Sequence, residues 1–203
     1  MIPVMKQPEP SDFDGRVKQP GNNFLRGVNT PVISWKNRDY WTRVLVDLHK
    51  AYNGICAYSA HYIPYDCGAA TVDHFVPKSE DNTLAYEWWN YRLASRTMNI
   101  NKREFRDVLD PFEIGDGWFS LDFPSIQIKP GDAAPDNVRA RITATITRLK
   151  LNNEVNIISR LRWIKEYRDN NISLDFLRRC APFISSELER QGCLYEMSNI
   201  FRQ

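Results

Sequence analysis

At 203 residues, with 42% hydrophobic and 12% aromatic side chains, the chain has apolar material for one compact domain, or for a small catalytic module wrapped by extra helices, and too much for a disordered polymer. No apolar run approaches the roughly 20 residues that cross a bilayer, so no membrane association is expected. The formal net charge of +2 is too small to argue for nucleic acid by itself. The opening Met1-Ile2-Pro3-Val4-Met5-Lys6 lacks the charged-then-apolar pattern of a secretory signal, which makes a cytoplasmic location the expectation.

Residues 1–36 are rich in Pro, Gly, Asn and charge and predict an extended N-terminal arm with little regular structure. Its scattered apolar residues Phe13, Val17, Phe24 and Leu25 suggest docking, on its own domain or on a partner. Over 38–52 the residues Tyr40, Trp41, Val44, Leu45, Leu48 and Tyr52 recur at helical spacing, with Asn37 as cap and Asn53-Gly54 as terminator, and predict a core helix. Tyr, Ile and Cys around Pro64, Asp66 and Gly68 predict a short hairpin in 55–70. A strand over 71–76, a polar loop over 78–87, a second strand over 90–94 and a helix over 96–107 follow. Alternation predicts a further hairpin from 118–123 and 125–128. Three helices complete the chain, over 136–151, over 153–168, and from Ser173 to a break at Pro182. Cys56, Cys67, Cys180 and Cys193 form no Cys-x-x-Cys pair, a cytosolic chain with a sizeable core needs no disulfides, and Cys180 and Cys193 are expected as buried free thiols.

The chemistry-bearing residues concentrate between 71 and 102. Asp73 and His74 close a short apolar strand, Asn90 opens the next, and Asn99 lies where a basic helix is expected to start. Hydrolysing a phosphodiester with water needs a base for the nucleophile, and a cation for charge on the phosphate and the departing oxygen. Histidine titrates near neutral pH and suits the first task. A hard divalent cation takes oxygen ligands and keeps several waters, so Asp73 and Asn99 can be its whole protein share. Neighbours on an ideal strand point to opposite faces, so Asp73 and His74 share a site only if the strand bends or ends there, as Phe75-Val76-Pro77 suggests. Asn90 can bond backbone across the polar loop and hold His74 in place. Helix N-terminal dipoles beside Asn99 would favour a phosphate. Arg92, Arg96, Lys102, Arg103 and Arg106, against the single acid Glu104, read on charge alone as an ordinary solvated helix face, and their place directly after these residues makes a nucleic-acid-binding face the expectation.

Asp73-His74-x-x-Pro77, Asn90-x-x-Leu93-Ala94 and Asn99-x-x-Lys102, in this order, resemble the HNH endonuclease family in its His-Asn-Asn form. The resemblance spans 56–102. It implies a ββα-metal fold, with His74 as general base, Asp73 and Asn99 as ligands of Mg²⁺ (or Mn²⁺), and Asn90 as the loop-fixing asparagine. Many members hold a structural zinc on two Cys-x-x-Cys pairs. The matching positions here read Cys56-Ala57-Tyr58-Ser59 and Ser95-Arg96-Thr97-Met98, which keep one thiolate of four, so no structural Zn²⁺ is expected. A rearranged site using Cys56, His61 and Cys67 is the alternative, without an evident fourth ligand. Packing by Tyr58, Met98 and Trp88-Trp89 is expected to replace the metal. The expected fold class is α+β, a ββα-metal (HNH) core at 37–110 embedded in a mainly helical domain, with the 111–203 hairpin and helices packed on the core.

A broader resemblance runs through Pro8-Glu9-Pro10, Pro20-Gly21, Cys56-Ala57-Tyr58-Ser59, the block 86–94 and Leu109-Asp110-Pro111-Phe112. These segments are similar to HNH proteins encoded beside ATPases in bacterial anti-phage systems of the Septu kind. That similarity implies a DNA nuclease effector in a hetero-oligomeric complex with an ATPase subunit, restrained until infection. Two alternatives stand beside it. RNA is the alternative substrate, because a base that activates water does not distinguish the sugars. A catalytically inactive ββα module that binds nucleic acid or a protein partner is suggested by the degraded zinc framework.

Overall fold

The computed structural model describes residues 1–30 and 32–194. Among the described residues are seven α-helices and two small antiparallel sheets of two strands each, a mixed α+β chain. The chain divides into two units, one formed by Met5–Cys56 and Ile63–Arg106, the other by Met1–Val4, Ala57–Tyr62 and Asp107–Gln203. The last residues of the expected 111–203 part lie outside the described residues. Among the described residues no helix is long and apolar enough to cross a membrane.

In the first unit the N-terminal segment departs from an extended arm. A π-helical turn, Asp14–Lys18, runs directly into α1 (Gln19–Arg26). Pro20 falls in the first turn of α1, directly after the π-helical turn, so a proline that argues against structure in general sits at the junction of two helical segments. Phe13 and Val17 are fully buried, and Phe13 meets the rings of Trp88 and Tyr91 edge-on at 5.7 and 6.0 Å. The segment therefore docks on its own unit. Gly21 lies so close to the Tyr86 ring that a Cβ there would collide with it.

The expected helix over 38–52 begins as a 3-10 turn, Tyr40–Val44, and becomes α2 (Leu45–Ala51). Asn37 does not cap it; its φ of 58° puts it in a left-handed turn. Asn53 and Gly54, at φ 51° and 68°, end the helix as their residue types suggest. The hairpin expected in 55–70 is absent: turns and isolated bridges fill the stretch, with left-handed Ala60 and Gly68 interrupting any ladder.

Strand β1 (Ala70–His74) pairs antiparallel with β2 (Tyr91–Ser95), with Val72 opposite Leu93 and His74 opposite Tyr91. The expected polar loop over 78–87 contains a 3-10 turn, Asn82–Tyr86, and a second, Trp88–Asn90, follows it; the two bury Ala85, Tyr86 and Trp88. Helix α3 (Arg96–Lys102) follows, its start capped by Ser95 Oγ accepting the Met98 N–H at 3.3 Å. It stops at left-handed Arg103, short of the expected 96–107. Of the side chains expected to brace the core, Tyr58, Met98 and Trp88 are buried, but Trp89 is 50% exposed.

In the second unit β3 (Phe119–Asp122) and β4 (Gln127–Pro130) form the expected hairpin, with Asp122 opposite Gln127. Four helices follow: α4 (Asp136–Arg148), α5 (Glu154–Arg168), α6 (Leu174–Cys180) and α7 (Pro182–Arg190). Asn153 and Ser173 cap α5 and α6 through their side-chain oxygens. Pro182 marks a break and also opens α7. Buried Glu187 ties α7 to β3 by accepting the Leu121 N–H at 2.8 Å and the Ser120 hydroxyl at 3.1 Å.

Candidate active site

β1 ends at His74, and that ending brings adjacent residues to one place. Phe75 N–H still donates to Asn90 O at 2.9 Å, after which the chain turns through Val76 and Pro77. Asp73 and His74 both line a cleft of about 560 Å³, together with Lys78, Asn99 and Arg103.

The protonation of His74 follows from its partners. Nε2 lies 2.9 Å from the carbonyl oxygen of Ala85, which can only accept, so Nε2 carries the hydrogen. Burial, with Lys78 and Lys102 adding to it, pushes the imidazole down to about 3, against the Ala85 hydrogen bond. A neutral ring with its proton on Nε2 leaves Nδ1 as an acceptor lone pair, which Lys78 Nζ faces at 3.4 Å. Trp41 meets this ring perpendicularly at 4.7 Å and Tyr91 at 5.2 Å, which fixes its plane.

A histidine held neutral when folded has a consequence for stability. The unfolded ring binds its proton near pH 6.5 and the folded ring only near 3, so below about 6.5 the unfolded state holds more protons and stability falls with falling pH. His61, in the other unit, acts in the same sense, because burial, Arg160 and the N-terminal amine push it down to about 4. Urea unfolding midpoints are therefore expected to decline steadily from pH 7 to pH 4, and His61→Asn should flatten part of that decline. A midpoint constant over this range would contradict both assignments.

Asn90 is fully buried and spends its side chain on the loop. Its Oδ1 accepts the Val76 N–H at 2.8 Å, and its Nδ2 donates to Val76 O and Leu84 O at 3.1 Å each. These bonds tie the segment after His74 to the segment that carries the Ala85 carbonyl. Asn90→Ala removes three bonds and leaves buried backbone groups unpaired, a loss of about 2–4 kcal/mol. Thermal melting should detect it, with a parallel loss of any activity that depends on the His74 orientation; a wild-type melting temperature would sink the anchoring role.

Asn99 sits in the second turn of α3 rather than at its start. Its Nδ2 donates to Thr71 Oγ1 at 3.1 Å and to Val72 O at 3.3 Å, which leaves the amide oxygen as the group it can offer to a ligand. Asp73 is 2% exposed and lies 3.3 Å through Oδ1 from Lys102 Nζ. One carboxylate and one amide oxygen on the wall of a roomy cleft are a fitting minimal set for a hard divalent cation that keeps its waters. Among the described residues no three His, Cys, Asp or Glu side chains come together as a metal-binding group. Cys56 Sγ accepts the Ser95 N–H at 3.4 Å, Cys67 donates to Pro64 O at 3.1 Å, and His61 belongs to the other unit.

The basic residues divide. Arg96, Arg103 and Arg106 are exposed, Arg103 on the cleft and Arg106 paired with Glu80 at 2.8 Å. Arg92 and Lys102 are buried and do not join the exposed arginines. Arg92 is 3% exposed, donates to Trp89 O and Tyr91 O, and covers the Phe75 ring at 5.0 Å. Lys102 is fully buried and donates to His74 O at 2.8 Å. The sequence reading missed Lys78 and Trp41: Lys78 Nζ stands 3.4 Å from His74 Nδ1 and 4.5 Å from the centre of the Trp41 ring. Burial lowers the Lys78 ammonium from its ordinary value, with Asp73 opposing.

No protein-family model matches the chain, and no curated protein matches it significantly.

Proposed function

We propose that β1, β2 and α3 form a ββα-metal core of the HNH type, and that the chain is a divalent-metal-dependent endonuclease hydrolysing phosphodiester bonds in DNA. The observation that carries this reading is the Nδ1 lone pair of a neutral His74, which faces Lys78 Nζ at 3.4 Å in the cleft that Asp73 and Asn99 also line. In the step itself, water forms a bond to phosphorus and gives its proton to Nδ1. The bond to the departing sugar oxygen breaks, and that oxygen leaves with the electron pair and takes a proton from solvent. Asp73 and Asn99 would hold Mg²⁺ or Mn²⁺, which supplies charge neutralisation at the phosphate. Asn90 holds the loop and His74 orients its lone pair. On the broader resemblance, we propose the role of nuclease effector in an anti-phage complex with an ATPase subunit.

Plasmid nicking with Mg²⁺ and with EDTA tests the reaction. Metal-dependent nicking supports it; none, with the ATPase partner added, sinks it. RNA cleavage in a parallel assay would move the substrate to RNA. The buried Lys102–Asp73 pair favours a second reading, a catalytically inactive module that binds nucleic acid, because an ammonium already sits beside the carboxylate that a metal needs. Binding without cleavage is its signature.

The exposed arginines set the salt dependence. Each phosphate contact contributes about −0.9 to the slope of log affinity against log salt on duplex DNA. Arg96→Ala and Arg103→Ala are each expected to reduce that slope by about 1 in anisotropy titrations. Salt-independent binding would mean that this face is only solvated surface.

A further inference from the structure

Lys78 enters the cleft from the loop that follows β1. A lysine ammonium is strongly hydrated and ordinarily stays in water on its flexible stem. Here Nζ is held against three rings: 4.5 Å from the centre of Trp41, 5.7 Å from that of Trp35, and 3.4 Å from His74 Nδ1. Asp73 and Glu104 attract it and Lys102 repels it, yet it has joined neither carboxylate in an ion pair, whereas Lys102 has taken Asp73. The result is a positioned cation beside the lone pair of His74, with its charge available to the cleft.

We propose that Lys78 is a substrate-binding residue of this cleft, its ammonium donating to a non-bridging oxygen of the phosphodiester whose attacking water lies against His74 Nδ1. The proposal rests on the nuclease reading of the cleft. A water placed to lose its proton to Nδ1 must itself be about 3 Å from that atom. The phosphate it attacks then has its oxygens within the sweep of an ammonium that already touches Nδ1. Without a phosphate, Lys78 covers the lone pair; an anionic phosphate draws the ammonium aside and uncovers it. Lys78 keeps its proton throughout. Negative charge grows on the non-bridging oxygens as water bonds to phosphorus and the ester bond breaks, and a fixed cation there is worth more in the transition state than in the ground state. The indole faces of Trp41 and Trp35 limit the freedom the side chain loses.

Labelled duplex DNA, titrated in EDTA so that no strand is cut, provides the first test. Lys78→Met is expected to weaken binding about tenfold and to lower the salt slope by about 1, while Lys78→Arg restores both. A lysine that merely braces His74 would leave the slope unchanged. In single-turnover cleavage with Mg²⁺, Lys78→Met is expected to be about 100-fold slower, with much of the rate returned by Lys78→Arg. If Lys78→Met is unfolded by circular dichroism, Lys78→Gln takes its place. Cleavage by the wild type with an unchanged slope in Lys78→Met overturns the proposal and leaves the nuclease reading standing. A Lys78-dependent slope in a protein that cuts nothing keeps the phosphate contact and overturns the nuclease reading.

Discussion

His74→Ala should reduce DNA cleavage by about 10²–10⁴-fold while leaving the fold in place. The expected rate loss follows from the proposed role of Nδ1, whose lone pair would accept the proton of water. The expected tolerance follows from Ala85, whose carbonyl keeps a donor when the imidazole is gone, because Tyr91 Oη–H also donates to it at 2.9 Å. A pKa of about 3 makes the resting imidazole a weak base. Burial is the main cause, but Lys78 and Lys102 add their charges, and under the proposed function an anionic phosphate in the cleft would offset them and raise the basicity of Nδ1. Single-turnover nicking with Mg²⁺, wild type against His74→Ala and His74→Gln, measures the effect. Gln restores an amide donor toward Ala85 without a titrating nitrogen, so it should be as inactive as Ala. Wild-type turnover in either variant would remove His74 as the base.

The sequence made the β1–loop–β2–α3 order legible because its signals are local. Apolar residues alternate up to His74, Phe75-Val76-Pro77 ends the strand, and Ser95 is a good cap for α3. Asn90 was legible for a related reason: a buried asparagine with two donors and an acceptor is suited to tie down loop backbone, and it ties down Val76 and Leu84. Arg92 and Lys102 were misjudged because their burial depends on what packs against them. β2 is buried on both faces from Tyr91 to Ala94, so alternation cannot tell which way a charged residue points. Its guanidinium is then satisfied by backbone carbonyls close in sequence. Lysine on a short basic helix ordinarily reaches for water; Lys102 instead turns inward because β1 presents a carboxylate and a carbonyl to it. Lys78 carried no sequence signal at all, since its meaning depends on Trp41, which the helical period assigned to the core.

Lys102→Met should be the most destabilising substitution around the cleft, at about 3–5 kcal/mol, the usual effect of stripping one partner from a buried ion pair. Lys102 Nζ is fully buried, 2.8 Å from His74 O and 3.3 Å from Asp73 Oδ1, so it serves as donor to the strand end and as counter-charge at once. Methionine matches the stem in size and flexibility, so packing changes little and the measured loss reports the ammonium. What remains is Asp73, 2% exposed, without the Lys102 ammonium beside it. By the same logic Asp73→Ala strands the Lys102 ammonium, so it cannot be treated as a silent ligand deletion. The double variant Asp73→Asn with Lys102→Met removes both charges and should recover much of the stability lost by Lys102→Met alone, without recovering activity. Urea unfolding of the four proteins in EDTA gives the cycle. Repeating it with Mg²⁺ adds a second readout: if Asp73 is a metal ligand, the cation can replace the missing ammonium, and Lys102→Met should gain more stability from Mg²⁺ than the wild type does. Equal gains would place the cation elsewhere. Wild-type stability in Lys102→Met would mean that the Asp73–Lys102 pair contributes nothing net, and the competition between ammonium and metal would lose its basis.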